Sequence, residues 1–153
     1  MTSCSPGGTP DLMFLFSRAS HALMVEHAAG LTGLGISPRA YCVLLKAYPG
    51  GLTQRQLGDQ CGIDKTTMVV TLDQLEAAGL VRRRPSPSDR RARLVEVTPQ
   101  GEAVLHQAWR ISVRIQQDVL ASLPDADREV FLRTLSDLVD GPLGGAGPCT
   151  PAS

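Results

Sequence analysis

The sequence lacks most of what would assign it to a chemical class. No GxSxG, HExxH or glycine-rich phosphate loop is present, and its three histidines form no cluster with carboxylates. The usual machinery of nucleophilic, metal-assisted or phosphoryl-transfer catalysis is therefore missing, and no enzyme, cofactor or metal is expected. The four cysteines, Cys4, Cys42, Cys61 and Cys149, contain no CxxC pair, which argues against a zinc knuckle or a thioredoxin-type motif. Cys42 and Cys61 fall within apolar helical patterns and read as small core residues. No apolar run approaches the roughly 18 residues needed to cross a bilayer. The opening MTSCSPGGTP has neither the basic start nor the apolar stretch of a secretion signal. A cytoplasmic protein without membrane association is expected.

Net charge is also lacking: 15 basic side chains balance 15 acidic ones over 153 residues. The balance conceals an asymmetry. From Thr53 to Arg93, eight basic residues meet five acidic ones, a net of +3. From Leu94 onward, four arginines meet eight acids, a net of −4. The most basic stretch is RRRPSPSDRRAR, Arg82 to Arg93, in which six of twelve residues are arginine. A basic middle in a neutral chain points to a polyanionic partner for that middle.

Residues 1–10 and 141–153 are rich in Gly, Pro, Ser and Thr, and are expected to be disordered tails around one domain, 11–140. Within the domain the patterning is mainly helical. Asp11 precedes a helix over about 11–30, with Leu12, Leu15, Phe16, Ala19 and Leu23 at helical spacing. Ser37-Pro38 reads as an N-cap followed by proline in the first turn. Thr53-Gln-Arg-Gln56 matches a capping box and starts a short helix that Gly62 is placed to end. Asp64 caps a second helix, KTTMVVTLDQLEAA, closed by Gly79.

Two short helices joined by a glycine-containing turn form a helix-turn-helix pattern. Residues 80–84 and 93–97, LVRRR and RLVEV, follow as two short strands around a loop of turn formers. A helix-turn-helix followed at once by a hairpin with a basic tip is a winged helix, here about 37–98. Thr98-Pro99 then starts a long helix with apolar positions Val104, Ala108, Ile111, Ile115 and Val119, and a final helix places Phe131, Leu135 and Leu138 inside. The helices over 11–30 and 99–140 have more apolar surface than the winged core needs, so dimerisation is their expected use. The fold class is mainly α with one small β-hairpin.

The stretch LTQRQLGDQCGIDKTTMVVTLDQLEAAGLVRRRPSPSDRRARLVEVTPQG resembles the core of a MarR-type transcription factor. The most specific parts are the LT…L helix start, DKTTMVVTLDQLEAAGLV, and the wing PSDRRAR running into VTPQG. With the flanking helices the resemblance covers about residues 11–140. It implies a cytoplasmic homodimer that binds double-stranded DNA at a pseudo-palindromic operator and represses nearby genes. In such proteins each recognition helix enters a major groove and each wing reaches an adjacent minor groove. Many members release DNA on binding a small aromatic or lipophilic effector, and others respond to cysteine oxidation. The alternative is an architectural or protein-interaction winged helix without a specific operator.

Carried over residue by residue, Lys65, Thr66 and Thr67 stand in the first turn of the recognition helix, where base edges and phosphates are met. The plainer role for the threonines is to satisfy first-turn backbone groups. Val69 and Val70 depart from the polar pair common in the family. Valine donates no hydrogen bond, so any readout by Val70 is apolar contact with thymine methyls. In the wing, Arg90 is expected in the minor groove, and Asp89 pairs with a wing arginine, Arg91, to hold the loop. Arg83 and Arg84, with Arg82, serve phosphates, one of the three being packed inward or salt-bridged. Thr53 and Arg55 are placed to touch the DNA backbone, and Arg39 is near enough to approach it.

For an effector, Arg18 and His21 share a face of the first helix, with His27 further along and Tyr41 in the second. They suit an organic anion beneath the winged helix. The plainer reading, which we prefer, is that the histidines and Arg18 satisfy polar spots at a dimer seam.

Overall fold

A computed structural model of the protein describes residues 10–89 and 91–144. Six helices and one hairpin follow in order: α1 (Leu12–Leu31), α2 (Pro38–Ala47), α3 (Gln54–Cys61), α4 (Lys65–Ala77), β1 (Val81–Pro85), β2 (Arg93–Val97), α5 (Pro99–Ala121) and α6 (Asp125–Asp140). A single 3₁₀ turn, Thr32–Leu34, links α1 to the α2 segment.

The starts of α1 to α5 are set by side chains that supply acceptors to first-turn N–H groups left without helical partners. Asp11, Ser37 and Asp64 accept from Phe14, Ala40 and Thr67 at 3.1, 3.1 and 2.9 Å. Thr53 and Gln56 form the reciprocal capping box of α3. Thr98 does two jobs. Its hydroxyl accepts from the Gly101 N–H at 3.0 Å and donates to the Gly79 carbonyl at 2.6 Å, joining the start of α5 to the end of α4. Gly62, in the left-handed region at φ 64°, ends α3 and makes the helix-turn-helix corner.

The hairpin pairs Val81 with Val97 through Pro85 with Arg93, antiparallel. Its outer strand is itself tethered: the Val95 N–H donates to the Leu52 carbonyl at 3.0 Å, and Thr53 bridges to Leu94. The wing is thus held against the entrance to α3. Strand β1 begins one residue later than the sequence pattern suggests, because the Leu80 N–H still closes α4 by bonding the Leu75 carbonyl.

The core lies in the winged helix. Val43, Leu44, Leu57, Met68, Leu72, Val81 and Val95 are fully buried, and Leu105 and Ala108 bring α5 onto them. Thr71, an unusual polar residue among them, is satisfied by donating to the Thr67 carbonyl at 2.8 Å. Gly101 lets α5 approach β1: a Cβ there would collide with the Leu80 carbonyl.

Outside this core two expectations are corrected. Phe131 is 45% exposed and α6 has no buried residue, although periodicity places Phe131, Leu135 and Leu138 inside. Leu135 and Leu138 are only half-buried. Likewise Leu12, Leu15, Phe16 and Leu23 of α1 face solvent. The reason is that nothing among the described residues covers these faces. The tail expected from Gly141 begins instead with ordered turns, the Leu143 N–H bonding the Leu138 carbonyl at 2.9 Å. The remainder of both tails lies outside the described residues.

Candidate nucleic-acid interface

The capped N-terminus of α4, helix α3 and the wing loop enclose a groove of about 830 Å³. It gathers Thr53 and Arg55 from α3, Lys65 from α4, and Asp89, Arg91 and Arg93 from the wing. Residues up to 40 positions apart in sequence thereby face one cleft. Five of the sequence-predicted contacts, Thr53, Arg55, Lys65, Asp89 and Arg91, are brought together here. Thr66 and Val70 lie exposed on the outer face of α4. Arg90 lies outside the described residues.

Thr67 is engaged in capping. Its N–H donates to the Asp64 carboxylate at 2.9 Å, and hydrogen bonding from the Thr67 side chain and backbone holds that carboxyl below its usual range.

The wing loop is shaped by small polar groups. Ser86, buried, shares a hydrogen bond with Ser88 at 3.0 Å, and the Ser86 N–H donates to the Ala92 carbonyl. Asp89 does hold the loop, but through a different partner: it accepts the backbone N–H of Arg91 at 2.9 Å, not the guanidinium. An aspartate two residues before an amide makes such a turn without a charge partner, which leaves the Arg91 side chain exposed in the groove.

Arg83 is engaged within the fold. Its guanidinium bonds Glu76 through Nε at 2.9 Å and Asp73 Oδ1 through a terminal nitrogen at 2.7 Å, and its N–H donates to Glu76 Oε1 at 3.0 Å. It is the most inward of the three arginines, and its pairs with Asp73 and Glu76 tie β1 to α4. The hydrogen bonds from Arg83 hold the Glu76 carboxyl below its ordinary range, and Glu76 in turn raises the Arg83 pKa. Arg82 and Arg84 both reach Glu96, at 2.8 and 3.2 Å, while staying more than half exposed. Exposed pairs of this kind are weak and yield readily to phosphates.

The effector candidates do not converge. Tyr41 is buried and meets the His27 ring edge-on at 5.0 Å, but Arg18 rests over Phe14 and His21 is exposed. Nine residues separate Arg18 from His27, which turns it to the opposite side of the helix at about 100° per residue. The partner that sequence reasoning missed is Ser112, whose hydroxyl lies 2.8 Å from His27 Nε2. Burial lowers the His27 pKa and so favours the neutral ring. Beside this pair runs an apolar groove of about 330 Å³ between α1, α5 and α6, with Met24, Ile115 and Phe131 in its walls.

Cys42 and Cys61 prove to be more than separate core residues. Helices α2 and α3 pack together, and side-chain hydrogen bonding from the Cys61 thiol, with Lys46 nearby, holds the Cys42 thiol below its ordinary range while that of Cys61 is raised. Among the described residues no three metal-ligating side chains come together, and no single helix is long and apolar enough to cross a membrane.

A capped recognition helix, a supporting helix and a basic hairpin around one cleft define a winged helix-turn-helix DNA-binding protein. The MarR family model matches residues 34–92, the core of that unit. A putative transcriptional regulatory protein for the hcr operon of Thauera aromatica is 32% identical over 130 residues, covering 84% of this chain and 78% of its own. This chain belongs to the MarR family and is a transcriptional regulator, not an enzyme. Among solved structures, the repressor CouR of Rhodococcus jostii RHA1 is similar both on a 23-mer DNA duplex and with p-coumaroyl-CoA bound. The DNA complex has a TM-score of 0.74 at 29% identity, covering 84% of this chain and 92% of that one. A MarR family protein of Mycobacterium tuberculosis in complex with p-aminosalicylic acid gives a TM-score of 0.71 at 27% identity, covering 84% and 98%.

Proposed function

We propose that the protein is a cytoplasmic homodimeric repressor that binds a pseudo-palindromic operator near the genes it controls. Helix α4 enters the major groove through Lys65, Thr66 and Val70. Arg55 and the Thr53 end of α3 lie along the phosphates. The wing carries Arg91, Arg84 and Arg90 to the adjacent minor groove. The observation that carries this reading is the shared cleft of Thr53, Arg55, Lys65 and Arg91 beside an exposed recognition face. The DNA complex of the similar CouR supports it.

The apolar faces left bare on α1 and α6, including Leu15, Phe16, Phe131 and Val139, support a dimer platform formed by 11–30 and 99–140. An aromatic or acyl effector docking beside His27 and Ser112 fits the apolar groove there, and is in keeping with the ligands of the two similar proteins. Its binding would shift α1 against α5 and change the spacing of the two recognition helices.

The test is fluorescence anisotropy on DNA upstream of the protein's own gene against a scrambled duplex, across a salt series. A specific site binds about a thousandfold or more tighter than random sequence, with a steep salt slope. Equal, weak binding to both, and to operators selected from random duplexes, would refute it.

A further inference from the structure

The recognition helix presents six exposed residues: Lys65, Thr66, Val70, Asp73, Gln74 and Ala77. Thr66, Val70 and Gln74 recur at intervals of four, so Val70 stands at the centre of the stripe. One polar neighbour on that side, Asp73, is already engaged: it accepts the Arg83 guanidinium at 2.7 Å. Midway along the face, the group turned outward is the Val70 isopropyl, 52% exposed.

Folding does not account for a valine there. The core of this helix is supplied by Met68, Thr71, Leu72 and Leu75, all buried, and Val70 is turned away from them. Helix propensity argues the other way, since β-branched residues are poorer helix formers than alanine or the straight-chain residues. A branched side chain is nevertheless stiff about χ1, so its two methyls sit at fixed positions on the outer face.

In the major groove the bases present mainly hydrogen-bonding groups, and the one apolar group larger than a C–H is the C5-methyl of thymine. A methyl pair placed against guanine, cytosine or adenine would desolvate polar atoms without replacing their bonds. We infer that Val70 reads the C5-methyl of one thymine in each half-site, making this position of the operator a T·A pair. The inference rests on the DNA-binding reading above and deepens it by assigning a base to a residue.

The experiment uses the full-length protein and duplexes enriched by it from a random library. Each thymine is replaced, symmetrically in both half-sites, by deoxyuridine, which removes the methyl and keeps every hydrogen-bonding group. Wild-type protein should lose about fourfold per half-site at one symmetric thymine, near fifteenfold for the pair, from the roughly 0.8 kcal/mol of one methyl-sized apolar contact. Val70→Ala should bind thymine and deoxyuridine duplexes equally, and Val70→Thr, which keeps one methyl, should retain part of the difference. Thermal unfolding checks that both variants fold. Operators with no symmetric thymine, no sensitivity to deoxyuridine in the wild type, or the same sensitivity in Val70→Ala would each overturn the inference. A library that yields no enriched sequence would overturn the operator reading itself, a separate and earlier failure.

Discussion

Replacing Arg83 by glutamine separates two roles that an arginine on a wing strand can have. In the structure it is a strap: one guanidinium spans Glu76 and Asp73 of the recognition helix and its side chain is only 24% exposed. Its removal leaves two carboxylates of α4 uncompensated close to the DNA-facing side. A buried hydrogen bond to a charged group contributes about 1.5–3 kcal/mol. Glu76 and Asp73 are 38% and 55% exposed, so solvent screening takes the pair well below a buried value. A net loss of about 1–2 kcal/mol follows, or a fall in Tm of roughly 3–6 °C for a chain of this size. DNA affinity should fall as well, because the wing is no longer held to the helix. The diagnostic quantity is the salt slope. A side chain that touches no phosphate releases no counterion, so log K against log salt keeps its slope in Arg83→Gln. On the proposed dimeric reading, in which one Arg91 of each protomer neutralises a phosphate, Arg91→Ala should flatten the slope by about 1.8 at roughly 0.9 per contact. Arg83→Lys restores charge but not the forked geometry and should rescue in part. An Arg83→Gln variant with unchanged Tm and a slope flattened by about 1.8 would show that Arg83 faces DNA and that the strap is wrong.

Three further outcomes are expected. Thr53→Ala removes the capping box that starts α3 and should cost about 1 kcal/mol in denaturant unfolding; no change would mean that the cap is redundant with the tether of Val95 to Leu52. Gly101→Ala drives a methyl into the Leu80 carbonyl where α5 meets β1, and should destabilise by about 1–3 kcal/mol, against the slight gain that alanine brings to an open helical site. Cys42, whose pKa is lowered by the Cys61 thiol and Lys46, becomes thiolate at lower pH than an ordinary cysteine, so its alkylation by iodoacetamide should accelerate at lower pH than, and precede, that of Cys61. Cys61→Ala, which removes the donor, should move that rise to higher pH; mass-resolved alkylation rates of the two cysteines that rise together would remove the basis for the pairing.

Much of the site is legible before any coordinate is known, because its signals are local. A hydroxyl or carboxylate three residues before a free amide caps a helix whatever surrounds it, and so Asp11, Ser37, Thr53, Asp64 and Thr98 can be assigned from sequence. A cluster of arginines in a proline- and serine-punctuated loop between two short β-forming runs likewise declares a basic hairpin. The destination of each arginine is another matter. Arg83 and Arg84 are neighbours of one type, yet alternation along β1 sends one to α4 and the other to Glu96 on β2. Only the packing of the hairpin on the helix decides which acid each meets.

The same limit governs the apolar faces and the pocket. Periodicity reports that α6 has an apolar side containing Phe131, but whether that side is covered depends on what lies across it, and among the described residues Phe131 stays 45% exposed. His27 and Ser112 are 85 residues apart, on helices whose patterns say nothing of each other, and only the docking of α1 on α5 brings ring and hydroxyl to 2.8 Å. Cys42 and Cys61 meet for a comparable reason, across the α2–α3 contact. What the sequence determined by itself was the set of elements, their caps and the basic wing, since these follow from interactions within a few residues. Tertiary structure alone decided which charges are satisfied inside the fold and which remain for DNA, because that choice depends on partners brought together only when the helices and hairpin close on one another.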